Sequence, residues 1–354
     1  MHLAVRSPGG DASRLLAISG RGTWDEPRPG ARADLGEEWW ALPGLADAHA
    51  HLAADELVLA PGDPTEIRRR AFTCLESGTF LVVDKGWCDD SVLATLASAP
   101  PLESPDLEGA GRMIAVEGGY YPGFAIETDP AGLAEVVRSA AERGRGWVKL
   151  VGDWPRKGRG AVGNFDEEAL ALAVDVAHRG GARVAIHTMA PEVPSWAVQA
   201  GVDSIEHGPF LSRADLEELA RRRGAWVPTV LRLEELGEAL GRTSSGGRLI
   251  AGALGNLPSL LAEAPPGVAV LAGTDLATPP GAVAREAAAL ARMGLPPERA
   301  VDAASAAVRR YLGRDPGFVL GEAADALFFE VDPYQDPAVL AEPVAVFRSG
   351  RRLR

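Results

Sequence analysis

Two hydrophobic rhythms alternate along the chain. Short runs of β-branched and apolar residues are each followed by a longer stretch with helical spacing, and the unit recurs. The runs are Trp39–His49, Thr79–Trp87, Arg112–Gly118, Trp147–Gly152, Arg183–Thr188, Ser204–Gly208, Ala225–Val230 and Val268–Asp275. The helical stretches carry start and stop signals. One opens at Asp129-Pro130, keeps Leu133, Val136, Val137 and Ala140 on one stripe, and stops at Arg143-Gly144. A second runs from Asp166 through Leu170, Val174 and Ala177 to Gly180-Gly181. A third starts at Ser212, carries Asp215 and Glu217 early, and ends at Arg223-Gly224. Carboxylates in first turns and cations in last turns suit the helix dipole.

Eight strand-then-helix units between roughly residues 40 and 295 predict an α/β fold, a parallel (β/α)8 TIM barrel spanning 39–316. A doubly wound open sheet is the rival. It needs a Gly-rich phosphate turn after the first strand, and this sequence has none there. The flanks have a different texture. Residues 1–38 are Pro/Gly-rich and weakly strand-like, and 317–354 return to strands at Ala326–Val331 and Val344–Phe347. The two ends are expected to pair into a small β-sandwich domain.

Composition narrows the function classes. Hydrophobic residues make up 46% and charged residues 24% of 354, enough for a large buried core. A net charge of −13 repels phosphate backbones, so no nucleic-acid partner is expected. The uncharged stretch Leu249–Ala262 contains Asn256 and Pro258 and is too short to span a bilayer. Cys74 and Cys88 cannot build a disulfide framework. With no cleavage signal after Met1, a cytoplasmic protein acting on a small-molecule substrate is expected, with homo-oligomerisation left open.

The chain has only six histidines, so where they fall is informative. His49 and His51 stand two apart at the end of the first run and share a face. His187 ends the fifth run, His207 the sixth and Asp275 the eighth. In a parallel barrel the C-terminal strand ends converge on one rim. Imidazoles and a carboxylate gathered there suit a borderline divalent ion such as Zn²⁺. His178, in a helix's last turn, needs only the dipole as explanation, and His2 is terminal. Lys149 lies within Trp147-Val148-Lys149-Leu150-Val151, where desolvation lowers an amine's pKa. A neutral amine there can add CO₂ and become a carbamate able to bridge two cations. The plainer alternative is a lysine paired with an acid such as Asp153. Asp47 shares the face of His49 and His51, to orient a ligand or to serve as a cap or core ion pair.

The stretch Leu42-Pro43-Gly44-Leu45-Ala46-Asp47-Ala48-His49-Ala50-His51 resembles the first-strand motif of the amidohydrolase superfamily. Val202-Asp203-Ser204-Ile205-Glu206-His207-Gly208 and Ala272-Gly273-Thr274-Asp275 are similar to its sixth- and eighth-strand motifs. The segments Gly321–Leu327 and Val346–Arg351 resemble the strands that close its small β-domain. The resemblance covers essentially the whole chain. It implies a metal-dependent hydrolase, and Lys149 places it beside the binuclear branch with a carboxylated lysine, among dipeptidase/prolidase-like and imidazolonepropionase-like relatives. On that resemblance His49, His51 and Asp275 hold the more buried metal and His187 and His207 the other, bridged by the carbamate of Lys149. Two divalent ions, zinc as first choice, would then activate a bridging hydroxide. Asp275 would take its proton and pass it to the leaving nitrogen of an amide, in a dipeptide, N-acyl amino acid or cyclic amide. Other readings are a mononuclear deaminase or imidazolone-type ring hydrolase, a lactonase or phosphotriesterase, and a catalytically inactive metal-binding barrel.

The chain departs from dipeptidase-like relatives after the third strand. Where they tend to show Gly-Gly-His, it reads Glu117-Gly118-Gly119-Tyr120-Tyr121. Substrate contacts are expected from Tyr120, Tyr121, Trp154 and Arg156, the last in a basic 152–165 loop with Lys157 and Arg159. Trp87 either lines the pocket or packs beside it. The 231–258 segment is long enough for extra helices or a lid. The runs Arg68–Arg70 and Arg221–Arg223 read as exposed helix faces, and nothing beside Cys88 suggests an activated thiolate.

Overall fold

The computed structural model describes residues 1–36, 38–54, 59–156, 159–277 and 279–354. Its framework is parallel. A seven-stranded sheet runs in the order Ala269–Val270, Ala225–Val227, Ser204–His207, Arg183–Thr188, Trp147–Val151, Ile114–Val116, Ile126–Thr128. A second parallel sheet joins Leu45–Ala50, Thr79–Asp84 and Asp106–Gly109. Isolated parallel bridges pair Gly109 with Gly146 and Ala50 with Asp275. Ala48 N–H donates to Ala272 O at 2.9 Å, and Asp275 N–H to His49 O at 2.6 Å. The approach is close: a Cβ on Gly273 would lie 2.6 Å from His49 Cβ.

The strands are nearly continuous hydrophobic runs because helices cover them, as parallel sheets require. Phe80, Val82, Val148, Leu150, Val184, Ile186, Ile205 and Trp226 are all buried. The expected helices form at Leu133–Arg143, Glu167–Arg179 and Arg213–Arg222. Asp166 accepts from Ala169 N–H, and Ser212 with Asp215 makes a reciprocal capping box. The first of these helices starts later than its sequence signal. Asp129 instead accepts from Gly132 N–H at 2.7 Å and closes a turn before the helix begins.

Four other expectations need correction. The third run, Arg112–Gly118, yields only Ile114–Val116, and Asp106–Gly109 pairs with Thr79–Asp84 instead. Its charged ends, Asp106 and Glu108, hid that strand from a search for apolar runs. Trp39–His49 divides at Pro43-Gly44 into Trp40–Leu42 and Leu45–Ala50, which join different sheets. The last run pairs only at Ala269–Val270, and residues 271–274 continue without regular pairing. Finally, Arg70 is not on an exposed face: it is buried and donates to Ala53 O.

Besides the antiparallel hairpin of Asp153–Arg156 and Gly160–Gly163, two small antiparallel sheets accompany the parallel framework among the described residues. One is His2–Arg6, Ser13–Ile18 and Trp24–Asp25; the other is Arg351–Arg352, Ala345–Arg348, Ala326–Phe329 and Trp40–Leu42. Leu3, Val5, Leu16 and Trp24 from the first share one apolar cluster with Ala41, Phe328 and Phe347 from the second. Among the described residues, no helix is long and apolar enough to cross a membrane.

Candidate metal centre

His49, His51, Lys149, His187, His207 and Asp275 line a single cavity at the C-terminal ends of the parallel strands. One ligand atom each from His49, His51 and Asp275 lies within 4.8 Å of the others. His49 Nε2 and His51 Nε2 are 3.3 Å apart, and His51 Nε2 is 3.2 Å from Asp275 Oδ1. The i, i+2 spacing does put both imidazoles on one face. His207 lies edge-on to His187 and tilted toward His49, its ring centroid 4.6 Å from the first and 5.6 Å from the second.

The backbone takes unusual conformations to bring these groups together. His207 and Asp275 both adopt left-handed φ values, 64° and 55°, which non-glycine residues rarely occupy. Strand alternation turns Glu206 and His207 to opposite faces. The left-handed turn at His207 reorients its ring toward the cavity while Glu206 reaches His49. Such strain persists where surrounding contacts hold it, and it concentrates at functional sites.

Three imidazoles hold Nδ1 close to an acceptor outside the cavity, through a hydrogen bond at His51 and His207 and an ion-pair contact at His49. His51 Nδ1 lies 2.6 Å from Gly86 O. His49 Nδ1 lies 2.6 Å from Glu206 Oε2. His207 Nδ1 lies 2.6 Å from Thr229 Oγ1, whose hydroxyl donates to Pro228 O and so accepts from the ring. Protons on Nδ1 leave the Nε2 lone pairs facing the cavity, the tautomer a metal requires. Burial, with help from the Lys149 charge, lowers His49 to about 4 and His187 to about 3. Burial also holds His207 well below its ordinary value. These rings are therefore neutral near pH 7. His51 is the exception: burial pushes it down, but Asp275 more than offsets this and raises it.

Lys149 supplies the clearest test of fit. Its Nζ is buried and has no hydrogen-bond partner among the described residues. Burial lowers its pKa to about 8, against the opposing pull of Glu206. The Asp153 pairing is not observed; Asp153 instead accepts from Met189 N–H and Ala190 N–H. An unsatisfied amine among unprotonated imidazoles and a carboxylate is a costly arrangement unless a ligand completes it. The donor set of nitrogen and oxygen atoms fits divalent cations of the borderline class.

Asp47 is a buried organiser. Its Oδ1 accepts from His49 N–H and Thr274 N–H, and its Oδ2 from Thr274 Oγ1 at 2.6 Å. Beneath the histidines lies a charged pair that sequence reading missed. Lys85 Nζ is 3.2 Å from Glu206 Oε1, over the Trp147 ring, and Ser204 Oγ donates to the same oxygen at 2.6 Å. Glu206 precedes His207 directly, and only its burial inside a strand would have flagged it.

Of the expected substrate contacts, Tyr120, Tyr121 and Trp154 line the cavity, with Trp154 4.5 Å from Tyr120 between centroids. Arg156 does not; it donates to Asn164 Oδ1 from the Asp153–Arg156 hairpin strand. Lys157 lies outside the described residues. Trp87 packs edge-on against Phe124 and donates to Ala60 O, so it supports the wall rather than lining it. The Cys88 thiol is pushed up, first by burial, and is not activated. The 231–258 segment forms Val230–Leu240 and most of Ser245–Glu263, which contribute Arg232, Leu233, Leu236 and Ile250 to the cavity.

Comparison with known proteins identifies the family. The amidohydrolase family model matches residues 40–353. An uncharacterised protein of Mycobacterium tuberculosis is 35% identical over 97% of this chain and 93% of its own length. A Xaa-Pro dipeptidase solved with methionine in its active site superposes with TM-score 0.81 at 20% identity, covering 100% of this chain and 98% of its own. The ochratoxinase of A. niger superposes with TM-score 0.78 at 18% identity, covering 100% and 95%. The chain belongs to the amidohydrolase family and is a hydrolase.

Proposed function

We propose that this hydrolase cleaves an amide C–N bond at a binuclear centre held by His49, His51, Lys149, His187, His207 and Asp275. The observation that carries the reading is the convergence of four imidazoles and one carboxylate on one cavity around a buried Lys149 amine with no partner among the described residues. Zinc suits this nitrogen- and oxygen-rich set. Lys149, part-neutral near pH 8, adds CO₂ at Nζ and loses a proton to become a carbamate.

When bound, the divalent cations lower the pKa of water toward neutrality and polarise the scissile carbonyl. The protein's own groups do the rest. Asp275, fixed by Asp275 N–H to His49 O and by the neighbouring Thr274–Asp47 bonds, accepts the proton of the attacking water at its carboxylate. It then delivers that proton to the leaving nitrogen as the C–N bond breaks. Tyr120 and Trp154 exclude bulk water from one side.

The scaffold of this reading is a closed (β/α)8 barrel over 39–316, supported by the Gly109–Gly146 and Ala50–Asp275 bridges. Residues 1–38 and 317–354 complete it as a small β-sandwich domain, supported by the apolar cluster their sheets share. Free Cys74 and Cys88 favour a reducing cytoplasm. The decisive assay is hydrolysis by zinc-loaded protein of N-acyl amino acids, dipeptides, cyclic amides and lactones. Amide cleavage is the expected result; lactone cleavage with no amide product would replace it by an esterase reading.

A further inference from the structure

Glu286 is buried, and its two carboxylate oxygens accept from Val230 N–H at 2.7 Å and Leu231 N–H at 2.9 Å. Those are the first two helical residues of Val230–Leu240, and the residue before them, Thr229, is fixed at φ 51° beneath His207. The first turn of this helix is therefore pinned to the metal centre. Arg232 follows in that turn and lines the cavity, its side chain 19% exposed.

Arg232 sits poorly in its local surroundings. A cation in a helix's first turn opposes the dipole. Its guanidinium makes no hydrogen bond among the described residues; its one ion-pair contact is Glu235 at 3.7 Å, a turn along the same helix. A planar fork of N–H donors held in a cavity is suited to a carboxylate.

The cavity also discriminates at the other end of a substrate. Its volume is about 120 Å³, and it opens to solvent at the mouth. Met113, Met189, Leu233, Leu236 and Ile250 make much of its wall apolar. Among the described lining residues, the only carboxylate is Asp275, which the metal centre occupies. Among the described lining residues, an α-ammonium would find no free anion to receive it.

We propose that the substrate is an N-acyl amino acid with an apolar acyl group, its free carboxylate bound by Arg232. The inference rests on the amide-hydrolase reading and narrows it. Water adds to the acyl carbon, the C–N bond breaks and the nitrogen gains a proton, leaving a fatty or aromatic carboxylate and a free amino acid. No oxidant or further reactant enters.

The test compares N-phenylacetyl-leucine, its carboxamide and the dipeptide Phe-Leu on zinc-loaded full-length protein. The acid should exceed both others about a hundredfold in kcat/KM, the scale of a lost charged hydrogen bond in a buried site. Arg232→Met should collapse the acid-to-carboxamide ratio toward one, chiefly through KM for the acid, and Arg232→Lys should restore part of it. Equal turnover of acid and carboxamide by the wild type, preference for Phe-Leu, or an unchanged ratio in Arg232→Met overturns the proposal. Calorimetric binding of N-phenylacetyl-leucine reads Arg232 separately from turnover. If all amides bind but none is cleaved, the amide-hydrolase reading fails while an Arg232-dependent affinity still upholds carboxylate recognition. Absence of both binding and cleavage sinks both.

Discussion

Asp47 and Thr274, 227 residues apart in the chain, are joined by two hydrogen bonds, Thr274 Oγ1 to Oδ2 at 2.6 Å and Thr274 N–H to Oδ1 at 3.1 Å. The same Oδ1 takes His49 N–H, so one carboxylate fixes the backbone beside two candidate ligands. Replacing it with alanine leaves three buried donors unmet. Asp47→Ala is expected to destabilise the metal-free protein by about 1–3 kcal/mol. Urea unfolding measures this, and zinc titration of the folded variant should show weaker binding as well. Unaltered unfolding and zinc affinity would reduce Asp47 to a bystander.

The Lys85–Glu206 pair under His49 makes a separate prediction. Glu206→Gln strands a buried ammonium and is expected to cost about 3–5 kcal/mol. The double variant Lys85→Met with Glu206→Gln should recover much of that stability, because no isolated charge remains. It should not recover metal affinity, since the carboxylate facing His49 Nδ1 is still gone; a loss of about 10–100-fold is expected. Stability and affinity recovering together would show that Glu206 acts only as a counter-ion.

Lys149→Ala removes the proposed carbamate. Metal content per chain should fall from two to one or none, with most turnover lost. Wild-type protein equilibrated with ¹³C-bicarbonate should show a carbamate carbon signal by NMR that the variant lacks. Two metals and full activity in Lys149→Ala contradict the bridging role.

Asp275→Asn keeps the size of the side chain but loses the base. Partial metal binding and a drop in kcat of about a thousandfold are expected. A variant that turns over like the wild type takes Asp275 out of the proton path.

His178 carries a pH prediction away from the centre. Its Nε2 lies 2.8 Å from Asp203 Oδ2, which also accepts from Val184 N–H. That hydrogen bond raises the imidazolium above its ordinary 6.5. A raised pKa stabilises the fold fully below 6.5, and the contribution disappears as pH rises through the folded value. Because the side chain is 46% exposed, the effect is a few tenths of a kcal/mol. Unfolding at about pH 5.5 and about pH 8.5 should show it in the wild type and not in His178→Gln. A variant whose pH slope matches the wild type would rule out this linkage.

Much of the centre was legible because its donors are rare residue types placed directly after apolar runs. His49, His51, His187, His207 and Asp275 could be named without coordinates. Asp106–Gly109 could not, because its charged ends break the apolar pattern that marks a strand. Arg232 was hidden for another reason. It lies inside a helical stretch, where a lone arginine reads as solvent-facing, and only the folded cavity that it lines shows otherwise. Arg156, in a basic loop, looked the better carboxylate partner, but its hairpin turns it toward Asn164. Charge clustering along a sequence says little about which side of a loop faces a ligand.

Trp40–Leu42 pairs with Leu327–Phe329, and only Pro43 and Gly44 separate it from the strand bearing His49 and His51. During synthesis the earliest-made ligand strand therefore waits for Leu327–Phe329, translated long after it, before its anchor exists. Until Leu327–Phe329 has emerged, or once a protease has cut it away, the strand beside Pro43 and Gly44 lacks its partner, and cellular quality control would meet an unfinished fold.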